Sequence, residues 1–215
     1  MAGILSGSSI VAAVESGDIE ITPFDPAQIN PVSYDLRLGD GVAVYRQWTM
    51  YDERYDERTQ YGASRADAAG ARNGSDLTPV DRFMDVKEEP EVVAFKIDPD
   101  RGWILKPGIA YLMHTLERVC AKKHVPILDG KSSIGRLFLQ VHATAGFGDP
   151  GFDGQYTLEV TVQSPLRVYP GMRICQIRFH TIEGEFESYQ KVGSYRGILA
   201  QGPVASQAWR MFDKK

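Results

Sequence analysis

The chain has 215 residues, 43% of them hydrophobic, with a formal net charge of −4 and a pI near 5.6. This is enough apolar material for one core of real size, and the acidic balance excludes a nucleic-acid grip built on bulk positive charge, leaving only a local basic pocket for a phosphate. No apolar run approaches the about 18 residues of a membrane span, and the N-terminus lacks a signal peptide's basic start and apolar run, so a soluble, cytoplasmic, single-domain protein with no membrane partner is expected.

In chain order, Ile4 and Leu5 precede S-G-S-S-I-V-A-A-V-E-S-G, where a serine can cap a helix, Ile10 and Val14 share one helical face and Gly17 can end the turn. A short helix is predicted there. Pro23, Pro26 and Pro31 then forbid helix, and Tyr34, Leu36 and Leu38 alternate with Ser33, Asp35 and Arg37, which predicts a strand and a hairpin. Residues 47–90 change character: a tandem Y-D-E-R-Y-D-E-R at 51–58 is followed by Ala, Gly, Ser, Asn and Asp with few large apolar residues. Such a stretch has little to bury and reads as an exposed, solvated insertion rather than a partner-binding loop.

Order is expected to resume at Val92–Ile97. W-I-L-K-P-G-I-A-Y-L-M-H-T-L-E-R-V and L-R-V-Y-P-G-M-R-I-C-Q-I-R-F-H-T-I-E then share one pattern of strand, Pro-Gly turn and strand, suited to a type II turn with Gly at the third position. Many short strands separated by Gly/Pro turns predict an all-β sandwich or barrel. Cys120 and Cys175 lie in apolar strand-like runs and fit buried free thiols of a reducing compartment better than a disulfide framework. The last segment is polar and glycine-rich. It reads either as a frayed tail or as a lid over a ligand, with Lys191, Arg196 and Gln201 as donors to phosphate.

The densest chemistry lies between Asp129 and Thr161, where Lys, Ser, Arg, His, Asp and Glu crowd among glycines. G-K-S at 130–132 is not a P-loop, because the required preceding Gly is Val125. His114, His124, His142 and His180 show no metal-ligand spacing, and neither cysteine has a second one three positions away, so no zinc site is readable. A triad of Ser132 or Ser133 with His142 and Asp149 lacks a nucleophile elbow. What remains is a constellation of Ser132, Arg136, Asp149 and Glu159. Gly135, Gly146, Gly148, Gly151 and Gly154 would let the backbone approach a ligand closely. Glu159 is then either an idle outward-facing strand residue or a general acid/base.

The motif G-K-S-S-I-G-R-L…V-H-A-T-A-G-F-G-D-P-G-F-D-G…T-L-E-V resembles the signature of the dCTP deaminases, within the trimeric dUTPase superfamily. P-V-S-Y-D-L-R-L-G at 31–39, the two Pro-Gly strand pairs and G-P-V-A-S at 202–206 extend the resemblance over nearly the whole chain outside 47–90. The resemblance implies a distorted, jelly-roll-like β-barrel with short helices and a mobile C-terminal arm at 189–215, assembled as a homotrimer with nucleotide sites between subunits. It implies zinc-free hydrolytic deamination of dCTP to dUTP and ammonia, in keeping with the lack of the H-x-E…P-C-x-x-C set of zinc deaminases. By similarity Glu159 shuttles protons, Ser132 and the carbonyl of Ala145 hold the attacking water, and Arg136 positions the catalytic group. Nucleotide contacts would come from Lys131, Ser133, Arg136, Asp149, Lys191, Tyr195, Arg196 and Gln201, with Mg²⁺ carried on the triphosphate rather than held by a protein metal site.

The chain departs from the family's lid pattern K-Y-x-G-Q-x-G-P, having Ser194 in place of the Lys and Gln201 displaced towards Gly202-Pro203; Phe138 stands where the family usually has Gly. Its T-A-G-F-x-D-P-G-F form resembles the bifunctional members, which continue to dUMP and pyrophosphate, and Asp149 matches the superfamily carboxylate that activates water for that cleavage. A pure dUTP pyrophosphatase is the rival, against which S-S-x-x-R with T-L-E-V favours deamination, and a non-catalytic nucleotide sensor, in which the departing lid signals lost turnover, is the third reading.

Overall fold

A computed structural model of the protein describes residues 3–45, 84–195 and 202–212. Most of the predicted insertion lies outside the described residues; its end, 84–90, is irregular and largely exposed. The N-terminal helix α1 (Gly7–Glu15) forms where expected, with the Ser6 side chain accepting from the Ser9 amide and Gly17 at φ 75° after its end. Ile10 is fully buried, and Val14 packs against the same core.

Ten strands follow among the described residues: β1 (Ile19–Thr22), β2 (Tyr34–Tyr45), β3 (Val92–Lys96), β4 (Trp103–Leu105), β5 (Tyr111–Ala121), β6 (His124–Gly130), β7 (Leu139–Gln140), β8 (Asp153–Val162), β9 (Leu166–Val168) and β10 (Arg173–Thr181). Eight form one sheet in the order β6-β10-β2-β5-β8-β7, with β1 on β5 and β3 on β2; β4 and β9 pair separately. The result is the expected distorted, nearly closed barrel with few short helices. It curls because its two long strands change partners along their length. β2 pairs β10 through Tyr34–Arg37, then shifts register between Leu38 and Val42 and pairs β5 and β3. β5 shifts between His114 and Arg118 and passes from β2 to β1.

One expectation is corrected here. No hairpin follows the prolines: Tyr34–Tyr45 is one bent strand, and Gly39 and Gly41 lie at its bend rather than in a turn. A Cβ on Gly39 would stand 2.1 Å from the His114 ring, so the ring fills the space the glycine leaves. The two Pro-Gly segments do form turns of the expected kind, with Gly108 and Gly171 both at φ 78°. At these corners the strands that precede the two turns pair with each other, Trp103 opposite Val168 and Leu105 opposite Leu166.

The core is drawn from the inward faces of these strands, with Tyr34, Leu36, Leu38, Met113, Leu158, Ile174, Ile177 and Phe179 all fully buried. Each such side chain contributes about 1.5–3 kcal/mol of burial, which is what fixes the register. Cys120 and Cys175 are buried free thiols, as expected, and burial raises the pKa of both. Among the described residues no helix is long and apolar enough to cross a membrane.

Candidate active site

The sequence K-S-S-I-G-R leaves β6 and winds at once into a single helical turn, Ser132–Gly135, whose Ile134 and Gly135 amides bond the Lys131 carbonyl. Ile134 is the one buried side chain of the turn, so Ser132, Ser133 and Arg136 are left facing outward. Among the described residues these three side chains make no hydrogen bond or ion pair. Lys131 behaves differently. Its Nζ lies 2.6 Å from Oδ1 of Asp35, a carboxylate only 1% exposed that also accepts from Asn30 Nδ2 at 2.8 Å and faces Arg173 at 3.4 Å. The turn is therefore tied to β2 through a buried ion pair.

A second buried carboxylate stands beside the first. Glu117 on β5, 0% exposed, accepts from Arg37 Nε at 2.6 Å, the Arg37 amide at 2.8 Å and Gln28 Nε2 at 3.2 Å. Sequence reading missed both Asp35 and Glu117, since alternation in Y-D-L-R-L marks Asp35 and Arg37 as solvent-facing. The structure covers β2 on both faces here, with η1 (Pro26–Gln28) and the chain around Asn30 over the polar side. The only available signal was two opposite charges two residues apart in a run otherwise fit for a core.

After β7, the loop 141–150 turns back along β6. The Leu128 amide donates to the Gly146 carbonyl and the Gly148 amide to the Pro126 carbonyl. A Cβ on Gly146 would meet the Leu128 carbonyl at 2.5 Å, and one on Gly148 would meet Pro126 and the Tyr156 hydroxyl at 2.9 Å. These two glycines thus permit close approach of the loop to β6. Seating the loop this way leaves Ala145 exposed and brings the Ala143 amide to Glu159, whose Oε2 accepts it at 2.9 Å. Glu159 is half-buried, on the face of β8 that also carries Gln155 and Thr157. It is opposite Leu112 on β5, which in turn is opposite Ala43 on β2.

Asp149 is exposed and lines a pocket of about 360 Å³ with Glu187, Tyr189, Val192, Gly193, Ser194 and Tyr195. Of the predicted arm residues, Tyr195 borders this pocket and Lys191 sits in the adjoining one-turn helix Tyr189–Val192, while Arg196 and Gln201 lie outside the described residues. The chain beyond them, 202–212, lies along the Gln155/Thr157 face, with the Gly202 amide donating to Gln155 Oε1 and the Val204 amide to Thr157 Oγ1.

Within one chain, then, the predicted residues fall into three groups: the Ser132–Arg136 turn, the Glu159 face with its Ala143 contact, and the Asp149 pocket. No hydrogen bond joins Ser132 or Arg136 to Glu159 among the described residues. Among the described residues one oxygen of Glu159 is held by the Ala143 amide and the other has no hydrogen-bond partner. Among the described residues no group of three or more His, Cys, Asp or Glu side chains could hold a metal ion.

This arrangement has relatives. A family described as dCTP deaminase-like matches residues 4–182. The chain belongs to the dCTP deaminase-like family. A protein of Leptospira biflexa named "dCTP deaminase, dUMP-forming" is 39% identical over 212 residues, 99% of each chain. One of the same name from Hathewaya histolytica is 38% identical over 200 residues, covering 93% of this chain and 95% of its own. In fold, this family member is similar to the crystal structure of 2'-deoxycytidine 5'-triphosphate deaminase from Agrobacterium tumefaciens, with a TM-score of 0.55 and 21% identity over 90% of this chain. It spans about half of that longer chain, 53%.

Proposed function

We propose that the protein deaminates dCTP and carries the product on to dUMP and pyrophosphate, in place of stopping at dUTP and ammonia. The observation that carries this reading is the full-length similarity to relatives named as dUMP-forming, supported by the T-A-G-F-G-D-P-G-F form of the loop beside Glu159.

In this reading Ser132 and the Ala145 carbonyl hold a water against C4 of cytosine. Glu159 takes one proton from the water through its open oxygen, while the Ala143 amide fixes the other oxygen, and passes that proton to N3; it then carries the second proton, from the hydroxyl now on C4, to the amino group, which leaves as ammonia. Arg136 steadies the charge that develops. No covalent enzyme intermediate forms. For the second step Asp149 activates a water that splits the bond between the α- and β-phosphates, leaving dUMP and pyrophosphate. Mg²⁺ enters with the substrate as its triphosphate complex, placed against Ser133, Arg136 and the arm residues Lys191, Tyr195, Arg196 and Gln201. Lys131 contributes by positioning, since its ammonium is engaged by Asp35.

The working unit is a homotrimer with sites between copies. Two features support this: Ser132, Ser133 and Arg136 lack side-chain partners among the described residues, and exposed Leu137, Phe138 and Phe147 lie close to them in sequence. Product analysis after incubation with dCTP and Mg²⁺, and separately with dUTP and Mg²⁺, tests the reading. Expected are ammonia, dUMP and pyrophosphate from dCTP. Accumulation of dUTP would restrict the activity to deamination, cleavage of dUTP alone would make the protein a pyrophosphatase, and turnover of neither would leave a binding protein.

A further inference from the structure

The C-terminal segment 202–212 does not pair with the sheet as a strand. Its amides are instead caught by side chains, at every second residue: Gly202 by Gln155, Val204 by Thr157 and Ser206 by the hydroxyl of Tyr45 at 3.0 Å. Because 202 and 204 meet 155 and 157 in the same order, the segment runs parallel to β8 over its outward face. The next side chain of that face is Glu159, and the next amide of that series is Ser206. An uninterrupted pattern would put the Ser206 amide on the Glu159 carboxylate. Tyr45 takes the amide instead, and among the described residues Glu159 keeps a single hydrogen-bond partner, the Ala143 amide.

Register places Tyr45 correctly for this. Ala43, Leu112 and Glu159 form one row across β2, β5 and β8, and Tyr45 lies two residues beyond Ala43 on the same face. Burial raises the pKa of Tyr45, with Tyr195 and Glu159 adding to the effect, so its hydroxyl remains protonated and in the carboxylate's field. Two more tyrosines extend the fastening: the Gln207 amide donates to the Tyr195 hydroxyl at 3.2 Å, and the Tyr195 amide to the Tyr189 hydroxyl at 3.0 Å. Beneath the segment Ala43, Leu112 and His114 are buried although they point away from the barrel core, and a Cβ on Gly41 would come within 3.0 Å of Pro203.

We propose that Tyr45 is a positioning residue of the deamination site: its hydroxyl latches the C-terminal segment at the level of Glu159 in the same chain and holds the Ser206 amide off the catalytic carboxylate. The proposal rests on the reading of Glu159 as proton shuttle. It separates the arm's two tasks, since contacts of Lys191, Tyr195, Arg196 and Gln201 with the triphosphate would act on nucleotide affinity, whereas the Tyr45 latch acts on the reacting end. Its loss lowers kcat and leaves KM for dCTP within about twofold.

The test uses the full chain and two variants, Tyr45→Phe and Thr157→Val, the second removing the Val204 acceptor. Hydrogen exchange over 202–212 is read without nucleotide, and steady-state deamination is read on the same samples. A hydrogen bond of ordinary strength corresponds to about tenfold in the closed population, so Tyr45→Phe should lose about tenfold in exchange protection of this segment, with a comparable fall in kcat. Thr157→Val should loosen the segment while lowering kcat less, because Ser206 stays on Tyr45. Unchanged protection in Tyr45→Phe, or lost protection with wild-type kcat, overturns the proposal. If Glu159→Gln retains deamination, the underlying reading fails instead, and the exchange result still decides whether Tyr45 is the latch.

Discussion

Lys131 carries two readings that differ in a measurable way. The resemblance assigns it to the triphosphate; the geometry puts its Nζ 2.6 Å from Asp35, with the lysine side chain 23% exposed and the carboxylate 1%. If the ion pair is what holds the Ser132 turn to β2, Lys131→Met must destabilise the protein in the absence of any nucleotide. Removing one partner of a buried pair typically costs about 3–5 kcal/mol. Here the figure is reduced because Asn30 still donates to Asp35 at 2.8 Å and Arg173 remains at 3.4 Å, which leaves about 2–3 kcal/mol. Urea unfolding of nucleotide-free protein at fixed concentration measures it. The double variant Lys131→Met with Asp35→Asn should recover much of the loss, because the stranded charge is gone. A loss below about 1 kcal/mol for Lys131→Met would show that the pair does not hold the turn, and would return Lys131 to direct phosphate binding.

Glu159→Gln should fold and bind nucleotide yet lose at least about a hundredfold in ammonia release, since the amide keeps the shape and removes the proton shuttle. Gly39→Ala places a Cβ 2.1 Å from a His114 ring that is hydrogen-bonded through both nitrogens; with no space to yield, it should cost about 3 kcal/mol or more, read as a lowered melting temperature or lost soluble expression. Burial lowers the pKa of His114 below its ordinary 6.5, so the unfolded chain binds that proton first as pH falls. Stability from this group is complete above about 6.5 and is lost progressively below it, down through the lowered folded value. His124 shifts the same way through burial, so urea midpoints should fall between about pH 7.5 and pH 5.5, before the carboxylates Asp18, Glu20 and Asp98, all held below their ordinary pKa, protonate. A flat profile over that window would refute the buried neutral state.

What could be read from the sequence was whatever local pattern determines. Ser6 and Gly17 bound α1, alternation in T-L-E-V sets Glu159 on one face with Leu158 and Val160 on the other, and Pro-Gly marks the corners at Gly108 and Gly171. Partner choice is not local. Nothing in W-I-L-K-P-G says that Trp103 will meet Val168 rather than the strand after its own turn. The hairpin expected after the prolines is a bend in β2 instead: G-D-G is turn chemistry by composition, and only the His114 ring, seventy-odd residues away, makes those glycines a packing requirement.

The same distinction governs the site. Ser132, Arg136 and Glu159 stand out in the sequence as candidates because their chemistry is crowded into one motif, but the contacts around them are not local: Asp35 on β2 holds the Ser132 turn, the Ala143 amide meets Glu159 sixteen residues on, and Gln155, Thr157 and Tyr45 hold the C-terminal segment. Each of these supporting contacts joins a motif residue or its neighbour to an element distant in sequence or to a loop whose path depends on one. A side chain that touches substrate must be of one chemical kind, so it announces itself; a side chain that supports it need only offer an acceptor at the right place. Tyr45 illustrates the consequence. At the end of β2, next to the charged insertion, it reads as an ordinary strand aromatic, and only the parallel course of 202–206 along β8 gives its hydroxyl something to hold.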